Sequence, residues 1–397
     1  MSHTLSRWAL PAGIDELLPD QARRVEALRA RLLAQFAQHG YQLVIPPIVE
    51  FVDSLLVGAG RDLALDTLTM TDGVTGRSLG LRADMTPQIA RIDAHSLPTV
   101  AERRLCYLGT VVRARPDGLG GSRTPMQVGA ELYGVGGVEG DLEIIELMLD
   151  VLRDAGVPEL VLDLGHVDIF GALAAEAGLT AAQEEAARDA LQRKSRGDLL
   201  AVLQAASVSP AVQTALLALL DLNGVWNEVL PRARAALGSM VSAAVRDGLD
   251  RLNQVAAVIA AHHAAVTVLI DLAELHGYHY QTGLVFAAYA RGVGRELARG
   301  GRYDDIGAVF GRARPATGFS TDVRELLRFA PVEAAAPVPI YAPADYQDTA
   351  LRARVAALRA EGRVVVMTAQ PIPAEACQLV RASDDSSWQL IENSNHG

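Results

Sequence analysis

The sequence predicts an α+β protein in which a mostly antiparallel sheet is flanked by helices, with a helical insertion and a small C-terminal α/β domain. Strand-like and helix-like runs follow one another without the regular strand–helix–strand rhythm of parallel sheets. The 397 residues contain neither a GxGxxG nor a P-loop motif. Residues 171–265 are rich in Ala, Leu, Glu and Arg and lack strand-like alternation, which predicts the helical insertion.

The first elements are predicted to be a helix and an interrupted strand. Apolar residues recur at helical spacing at Val25, Leu28, Leu32 and Phe36. Asp20 can cap the start of this helix and Gly40 ends it, so we expect a helix over 20–39. The next run reads YQLVIPPIVEF, in which Pro46 and Pro47 favour an edge or interface strand over a central one.

A hairpin is predicted over 103–136, where the runs RRLCYLGTVVRA and MQVGAELYGV flank a Gly/Pro-rich segment. Period-2 alternation in the second strand places these residues on one face: Gln127, Gly129, Glu131 and Tyr133. The opposite face carries Val128, Ala130 and Leu132. Such a pattern is typical of a strand with one solvated face, and a polar pocket wall is the alternative.

The rest of the chain is predicted to add a helix over 141–156, further strands and a second domain. The strand-like runs read ELVLDLGHVDIF, VTVLIDLAEL and HGYHYQTGLVFAAY. Residues 330–343 are rich in proline and alanine, which indicates a linker. We therefore expect a core domain over 1–329 and a small α/β domain over 344–397.

Composition limits the classes of partner and compartment. The formal net charge is −11 and Lys194 is the only lysine, which argues against a large phosphate-binding surface for nucleic acid. Cys106 and Cys377 are too few for a disulfide framework or a metal-binding motif. No apolar run approaches the roughly 18 residues of a membrane span, and the N-terminus lacks a signal-peptide design. We expect a cytoplasmic protein without membrane association.

The histidines of HGYHYQTGLVF raise the question of a metal site or an acid–base pair. His276 and His279 are three apart in a strand-like run, so their side chains point to opposite faces. The neighbours His262 and His263 diverge as well, and there is no HExxH motif. No GxSxG motif supports a nucleophile. We predict no metal and no catalytic nucleophile.

A small-molecule pocket is the remaining interpretation of the polar residues. Asp84, Gln127 and Glu131 supply hydrogen-bond acceptors, and Tyr278 and Tyr280 share one strand face. Carboxylates combined with tyrosine hydroxyls suit a ligand that carries a cationic or NH-rich group, such as an amino acid with a ring donor.

The order of several motifs resembles the histidyl-tRNA synthetase family over about residues 10–328. The matching segments read IPPIVEF, LGLRADMTPQIAR, VVRARPDGLGGSRTPMQVGAELYG, HGYHYQTGLVF and ARGGRYDDIGAVFG…ATGFSTDVREL. They resemble the three class II synthetase motifs and the two histidine-specific motifs. The resemblance implies a class II aminoacyl-tRNA synthetase-like antiparallel sheet of six or seven strands, and a homodimer built on the first motif around Pro47.

The ATP side of this resemblance is degenerate. His276 stands where the synthetases have an arginine that contacts carboxylate and phosphate, and an imidazole does not replace a permanent bidentate cation. In the second motif, Gly121 stands where the synthetases have a phosphate-binding arginine, Pro125 stands where they have an aromatic residue that stacks on adenine, and an acid is missing at a gap near Ala114. In the third motif, Glu325, next to Arg324, stands where they have an arginine, and Asp322 stands where they have a glycine. Carboxylates where a triphosphate should lie are repulsive, so the resemblance predicts no adenylation and no catalytic residues.

The positions that bind the amino acid in the synthetases match this sequence better than those that bind ATP. Residues at matching positions are Asp84 (for a glutamate), Thr86, Arg113, Gln127, Glu131, Tyr280 and Gln281 (for a second tyrosine). By resemblance, Asp84 and Thr86 hold the α-ammonium of histidine or a related effector, and Glu131 and Tyr280 contact the imidazole. Gln127 bridges the two ends. Either Arg113 or His276 receives the carboxylate.

This combination looks like the family of ATP phosphoribosyltransferase regulatory subunits. That family implies a non-catalytic protein without cofactor, which assembles with the short-form catalytic subunit into a hetero-octamer of histidine biosynthesis and takes part in feedback inhibition by histidine. About 65 residues follow Pro331, too few for the synthetases' anticodon-binding domain, so no tRNA binding is expected. The alternatives are a histidyl-tRNA synthetase with degenerate motifs and a paralogue with an unrelated role, such as a translation-linked binding module or a polymerase accessory factor.

Overall fold

The computed structural model describes residues 8–56, 61–116, 121–238, 242–275, 281–331, 338–373, 375–382 and 387–391. Contacts between residues divide the chain into two compact units, over 1–331 and 332–397. Among the described residues, no helix is both long enough and apolar enough to cross a membrane. Within the same ranges, no three His, Cys, Asp or Glu side chains are grouped as metal ligands.

The first unit contains both helices and strands throughout its length. Its helices are α1 (Pro19–Gln38), α2 (Val52–Leu55), α3 (Arg61–Asp66), α4 (Thr86–Arg91), α5 (Gly137–Asp154), α6 (Val167–Glu176), α7 (Ala181–Gln192), α8 (Arg196–Ala205), α9 (Pro210–Ala218), α10 (Trp226–Leu237), α11 (Ala243–His262) and α12 (Val323–Leu326). Short 3-10 turns span Leu219–Asp221 and Ile306–Phe310, and a π-helical turn, Ile92–Ser96, follows α4. Its strands are β1 (Gln42–Leu43), β2 (Val49–Phe51), β3 (Thr69–Thr71), β4 (Ser78–Leu81), β5 (Arg103–Thr110), β6 (Met126–Tyr133), β7 (Leu160–His166), β8 (Asn223–Val225), β9 (Thr267–Asp271), β10 (Leu284–Ala290), β11 (Ala298–Arg302) and β12 (Ala316–Asp322).

The main sheet has nine strands in the order β1-β5-β6-β12-β11-β10-β7-β9-β8. The consecutive pairs from β5 to β7 are antiparallel, as predicted. The pairs β1–β5 and β7–β9 are parallel, so the sheet is mixed and larger than the six or seven antiparallel strands expected. The β7–β9 connection runs through the long helical segment, and such a crossover brings the chain back in the same direction.

The helix over α1 and the β5–β6 hairpin form as predicted. Helical spacing buries Val25, Leu28, Leu32 and Phe36 of α1 in the main core. Strands β5 and β6 pair in register from Arg103 opposite Tyr133 to Thr110 opposite Met126. Helix α5 adds a broad apolar side to the same core, so one face of the sheet is covered by helices.

Among the described residues of the segment 171–265, helices are joined by turns and there is one short strand. Asn223–Val225 forms β8, which pairs antiparallel with β9 at the edge of the main sheet. The expectation of a purely helical segment is therefore wrong for these three residues. Their pairing depends on a strand more than 40 residues later along the chain, and local periodicity does not contain that information.

The second unit has a four-stranded sheet in the order β14-β13-β15-β16. Its elements are β13 (Ile340–Pro343), α13 (Thr349–Ala360), β14 (Val365–Thr368), β15 (Gln378–Arg381) and β16 (Trp388–Ile391). The small core combines Leu351, Val355 and Leu358 of α13 with one sheet face. Strand β13 corrects the predicted linker 330–343 at its end, because Ile340 and Ala342 are fully buried in this core despite the flanking prolines.

Candidate functional site

Of the predicted ligand-binding residues, Gln127 and Glu131 lie on the face of the main sheet that is opposite the main helical core. We call it the site face, defined by Tyr107 on β5, Glu131 on β6, Gly318 on β12 and Gly301 on β11. Register places Gly318 opposite Glu131 and Gly301 opposite Gly318. Residues 127–133 are all buried, so the solvated-strand interpretation of β6 is wrong and the polar residues line an interior wall.

Glu131 is the centre of this wall. The hydroxyl of Tyr107 donates to its Oε1 at 3.1 Å, and the hydroxyl of Tyr303 donates to its Oε2. The residue is 1% exposed. Burial raises the pKa of the Glu131 carboxyl to about 8, the charge of Asp84 adds to the rise, and the tyrosine hydrogen bonds oppose it.

Asp84 and Gln127 form a second bonded group beside it. Nε2 of Gln127 donates to Oδ1 of Asp84 at 2.8 Å, and Oε1 of Gln127 accepts from the Met85 amide at 2.9 Å. The amide of Thr86 donates to the same Asp84 oxygen at 3.0 Å. The Thr86 hydroxyl lies 3.3 Å from the hydroxyl of Tyr107. Hydrogen bonds therefore connect Asp84 to Glu131 through Thr86 and Tyr107.

Glycines make room for this cluster. A Cβ on Gly318 would lie 1.6 Å from Oε2 of Glu131. A Cβ on Gly129 would lie 2.4 Å from the carbonyl oxygen of Phe319 and 2.5 Å from the hydroxyl of Tyr107. Any side chain at either position would displace the carboxylate, the tyrosine or the strand, so the floor of the site requires glycine.

The remaining predicted residues have different positions. Gln281 packs its side-chain amide against Gly301, and its Oε1 is buried without a hydrogen-bond partner among the described residues. Arg113 lies four residues beyond Gly109, which pairs with Gln127. That separation is about 13 Å along an extended chain. His276 and Tyr280 lie outside the described residues.

Two tyrosines of the cluster were not predicted. Tyr107 lies opposite Gly129 in the β5–β6 pair, so period 2 in both strands of the hairpin contained the signal for its position. Tyr303 immediately follows β11 in the GGRYDD segment. Its approach to Glu131 depends on the pairing of β11, β12 and β6, which no local pattern specifies.

At the side of the site that would hold a nucleotide by resemblance, the charged side chains of Asp322, Arg324 and Glu325 are bonded to other parts of the protein. Oδ1 of Asp322 accepts from the amides of Met126 and Arg324 at 3.0 Å each, which caps α12 and ties it to β6. The side chain of Arg324 is bound to Asp15 and to the carbonyl of Thr124. Partners of Glu325 are Arg295 and Arg328.

These contacts define what the site can do chemically. A buried carboxyl whose pKa is about 8 can exchange or share a proton with an imidazole ring. Asp84 offers an acceptor for an ammonium group beside the Thr86 hydroxyl. On the other side, Asp322 accepts from two backbone amides and Glu325 pairs with Arg295, so carboxylates lie where a triphosphate would need cations. The arrangement supports amino-acid binding without activation.

Family models match both parts of the chain. The model described as histidyl-tRNA synthetase matches residues 13–326. The model described as the C-terminal domain of the ATP phosphoribosyltransferase subunit HisZ matches residues 337–391. The first match covers the main sheet with its helices, and the second covers all of the strands and the helix of the second unit.

Curated relatives with high identity are named as regulatory subunits. An ATP phosphoribosyltransferase regulatory subunit from Thioalkalivibrio sulfidiphilus is 53% identical over 91% of this chain and 91% of its own length. That from Pseudomonas syringae pv. tomato is 46% identical over 99% of this chain and 98% of its own. A solved Bacillus halodurans structure, described as an ATP phosphoribosyltransferase regulatory subunit/histidyl-tRNA synthetase, has a TM-score of 0.79 at 26% identity and covers 91% of this chain and 93% of that one. The expected class II synthetase-like fold is confirmed, with a mixed sheet, and the chain belongs to the family of ATP phosphoribosyltransferase regulatory subunits.

Proposed function

We propose that this protein is the non-catalytic histidine-sensing subunit of an ATP phosphoribosyltransferase, the enzyme of the first step of histidine biosynthesis. The observation that carries the proposal is the contrast within one site. The bonded cluster of Asp84, Thr86, Gln127 and Glu131 is kept, whereas the acids at the nucleotide side are committed to structural contacts. A site of this kind binds an amino acid and leaves it unreacted.

In the proposed complex, histidine lies across the site face from Glu131 to Asp84. The imidazole ring meets Glu131, where the two groups share one proton. The α-ammonium meets Asp84 and the Thr86 hydroxyl, and Gln127 fixes the orientation of Asp84. Tyr280, His276, Gln281 and Arg113 stay predicted contributors from the surrounding chain.

The competing function is a histidyl-tRNA synthetase with degenerate motifs. It would need cations for the phosphates of ATP near the third motif. Arg324 is engaged with Asp15 and Thr124, and Arg295 with Glu325. Freeing either arginine would leave a carboxylate without its partner beside the phosphates, which opposes nucleotide binding.

The proposal includes partner subunits. Relatives of 45% identity or more are named regulatory subunits, which supports a separate catalytic chain, and we propose a hetero-octamer with the short-form catalytic subunit. A homodimer through the first motif is supported by exposed apolar side chains around Pro46 and Pro47. Leu43 is 45% exposed, Ile45 77% and Ile48 46%, a grouping typical of interaction sites.

We further propose that the assembly is cytoplasmic and that tRNA is not a partner. We also propose that the boundary between the core, the linker and the C-terminal domain lies near residue 330.

One set of measurements tests this proposal. We expect co-expression with a short-form catalytic subunit to give co-purification and histidine-inhibited phosphoribosyl transfer, and calorimetry to show histidine binding that the Glu131→Ala substitution abolishes. Histidine-dependent ATP–pyrophosphate exchange by the chain alone would establish the synthetase instead. Undiminished histidine binding by the Glu131→Ala variant would remove the site from the proposal while leaving the family assignment in place.

A further inference from the structure

Pro46, Pro47 and Ile48, which we call the dimer loop, lie in the surface proposed for the homodimer, and a distant segment holds their backbone. Nη1 of Arg82 donates to the carbonyl oxygen of Pro46 at 2.7 Å, and the Arg82 amide donates to that of Ile48 at 3.0 Å. Nε2 of Gln88 donates to the carbonyl oxygen of Pro47 at 2.7 Å. Two residues therefore bind three successive carbonyl groups of the dimer loop.

The same two residues flank the proposed ammonium site in the chain. Arg82 precedes Asp84 by two positions, and Gln88 follows Thr86 by two. Arg82 is 6% exposed and Gln88 1%. Two residues of chain span at most about 7 Å, so a shift of either anchor is passed directly to the residues between them. The dimer loop and the ammonium site are therefore connected by one short bonded segment.

Glu50 adds a second connection between the dimer loop and this segment. Its Oε1 accepts from Nε2 of Gln88 at 2.9 Å and from Nη2 of Arg91 at 2.6 Å. The Glu50 side chain is 10% exposed and that of Arg91 22%, so salt screens this pair less than an exposed one. Bonds from the dimer loop and its neighbour Glu50 therefore reach the segment both before and after the ammonium site.

We infer that the proposed ammonium site is complete only in the homodimer, and that Arg82 and Gln88 are the positioning residues that link the two. The inference rests on the proposed function, from which it takes both the histidine site and the dimer surface. Without a second copy, Ile45 beside the dimer loop is 77% exposed, and a loop with few apolar contacts opens easily. Buried donors without acceptors are costly, so Arg82 and Gln88 follow the loop and displace the ammonium-binding residues between them.

A second copy of the chain is the partner that this surface fits. Residues 42–49 read QLVIPPIV and carry no charge. Two copies of a chain with a net charge of −11 repel each other, and this repulsion is smallest where the surface is uncharged. Strand β1, directly before the dimer loop, is an outer strand of the nine-stranded sheet, and such an edge favours pairing between chains.

Thermodynamic linkage gives the first test, which needs no variant. If dimerisation raises the affinity for histidine, each bound histidine must strengthen the dimer by the same factor, typically about 5–150-fold. We expect sedimentation of the full-length wild type over a dilution series to give a dimer dissociation constant at least about fivefold lower with saturating histidine. An unchanged constant in a protein that binds histidine by calorimetry overturns the inference and leaves the proposed function in place. A wild type that binds no histidine rejects the proposed function itself.

Two variants then separate the interface from the link. Ile45→Glu places a charge in the apolar surface, so we expect a monomer whose histidine affinity is at least about fivefold below that of the wild-type dimer. Gln88→Met keeps the length of the side chain and removes its bonds to Pro47 and Glu50. We expect this variant to form a dimer with weaker histidine binding, and histidine to change its dimer dissociation constant by less than about twofold.

Val225 on β8 provides the matched control, because it is a β-branched residue with 41% exposure at the other edge of the main sheet. Val225→Glu should change neither the dimer nor the histidine affinity. Wild-type histidine affinity in the Ile45→Glu monomer would overturn the inference, and so would a dimer that survives this substitution. Full linkage in the Gln88→Met variant would overturn the positioning role of Gln88.

Discussion

The two halves of the site are built from similar residue types but use them differently. In the proposed amino-acid half, Glu131 and Asp84 are bonded to neighbouring side chains and are connected to each other through Thr86 and Tyr107. In the nucleotide half, Asp322 accepts hydrogen bonds from the amides of Met126 and Arg324 at the start of α12. Glu325 forms a salt bridge with Arg295. A buried carboxylate that is held by side-chain hydroxyls is the proposed ligand contact, whereas one that caps a helix contributes to stability. Under the proposed function, this difference would let one fold keep amino-acid recognition while it loses the means for activation.

The strongest test of this difference is Glu131→Gln. The pKa of Glu131 is raised from the ordinary 4.5 to about 8, so the folded state resists ionisation of this group while the unfolded state does not. The resulting penalty is absent below about pH 4.5 and grows until about pH 8. We expect the substitution to weaken histidine binding at least tenfold, yet to stabilise the free protein by roughly 2 kcal/mol at pH 8, with the gain vanishing toward pH 4.5.

Urea unfolding at a series of pH values and calorimetry measure the two effects. Asp163→Asn is the matched control, because burial raises the pKa of Asp163 to about 7 and this residue lies outside the bonded cluster. It should also stabilise the protein as the pH rises, and histidine affinity should stay unchanged. A destabilised Glu131→Gln variant at pH 8 would contradict the view that this carboxyl is kept for binding at the expense of stability.

A smaller effect is expected in the nucleotide half. Asp322→Gly restores the residue that the synthetases have, but it removes the bonds to the amides of Met126 and Arg324. We expect a loss of about 1 kcal/mol in the free energy of unfolding, typical of a lost helix cap. Histidine affinity should not change, and no ATP–pyrophosphate exchange should appear. Asp322→Asn keeps an acceptor oxygen and should restore most of the stability; a gain of exchange activity in either variant would mean that the nucleotide half is still functional.

The smallest effect concerns pH and the shared proton. Glu131 titrates at about 8 and a free imidazole at about 6.5. If the bound pair holds one proton, binding in acid must release a proton from the imidazolium, and binding in alkali must take one up from solvent, so affinity falls on both sides. We expect a maximum between about pH 6.5 and 8, with several-fold losses one unit outside it. Calorimetry over this range measures it; the Glu131→Gln variant should lose the alkaline decrease, and an unchanged alkaline decrease would point to another group.

Much of the fold could be predicted because its signals are local. The apolar spacing of α1 and the alternation in β6 each depend on a few consecutive residues. Four polar residues that the structure connects by hydrogen bonds were also predicted to contribute to one ligand-binding site: Asp84, Thr86, Gln127 and Glu131. Strands β8 and β13 were not predicted, because β8 forms by pairing with the distant strand β9 and β13 by packing against helix α13.

The sequence by itself determined the order of elements, the alternation that puts Gln127 and Glu131 on one strand face, and the missing arginine at His276. Only the tertiary structure decided that this face is buried, that Tyr107 and Tyr303 hold Glu131, and that Asp322 serves as a helix cap. The physical reason is that burial and pKa depend on groups far apart in the chain. Periodicity assigns a side chain to a face, and packing alone determines what that face meets.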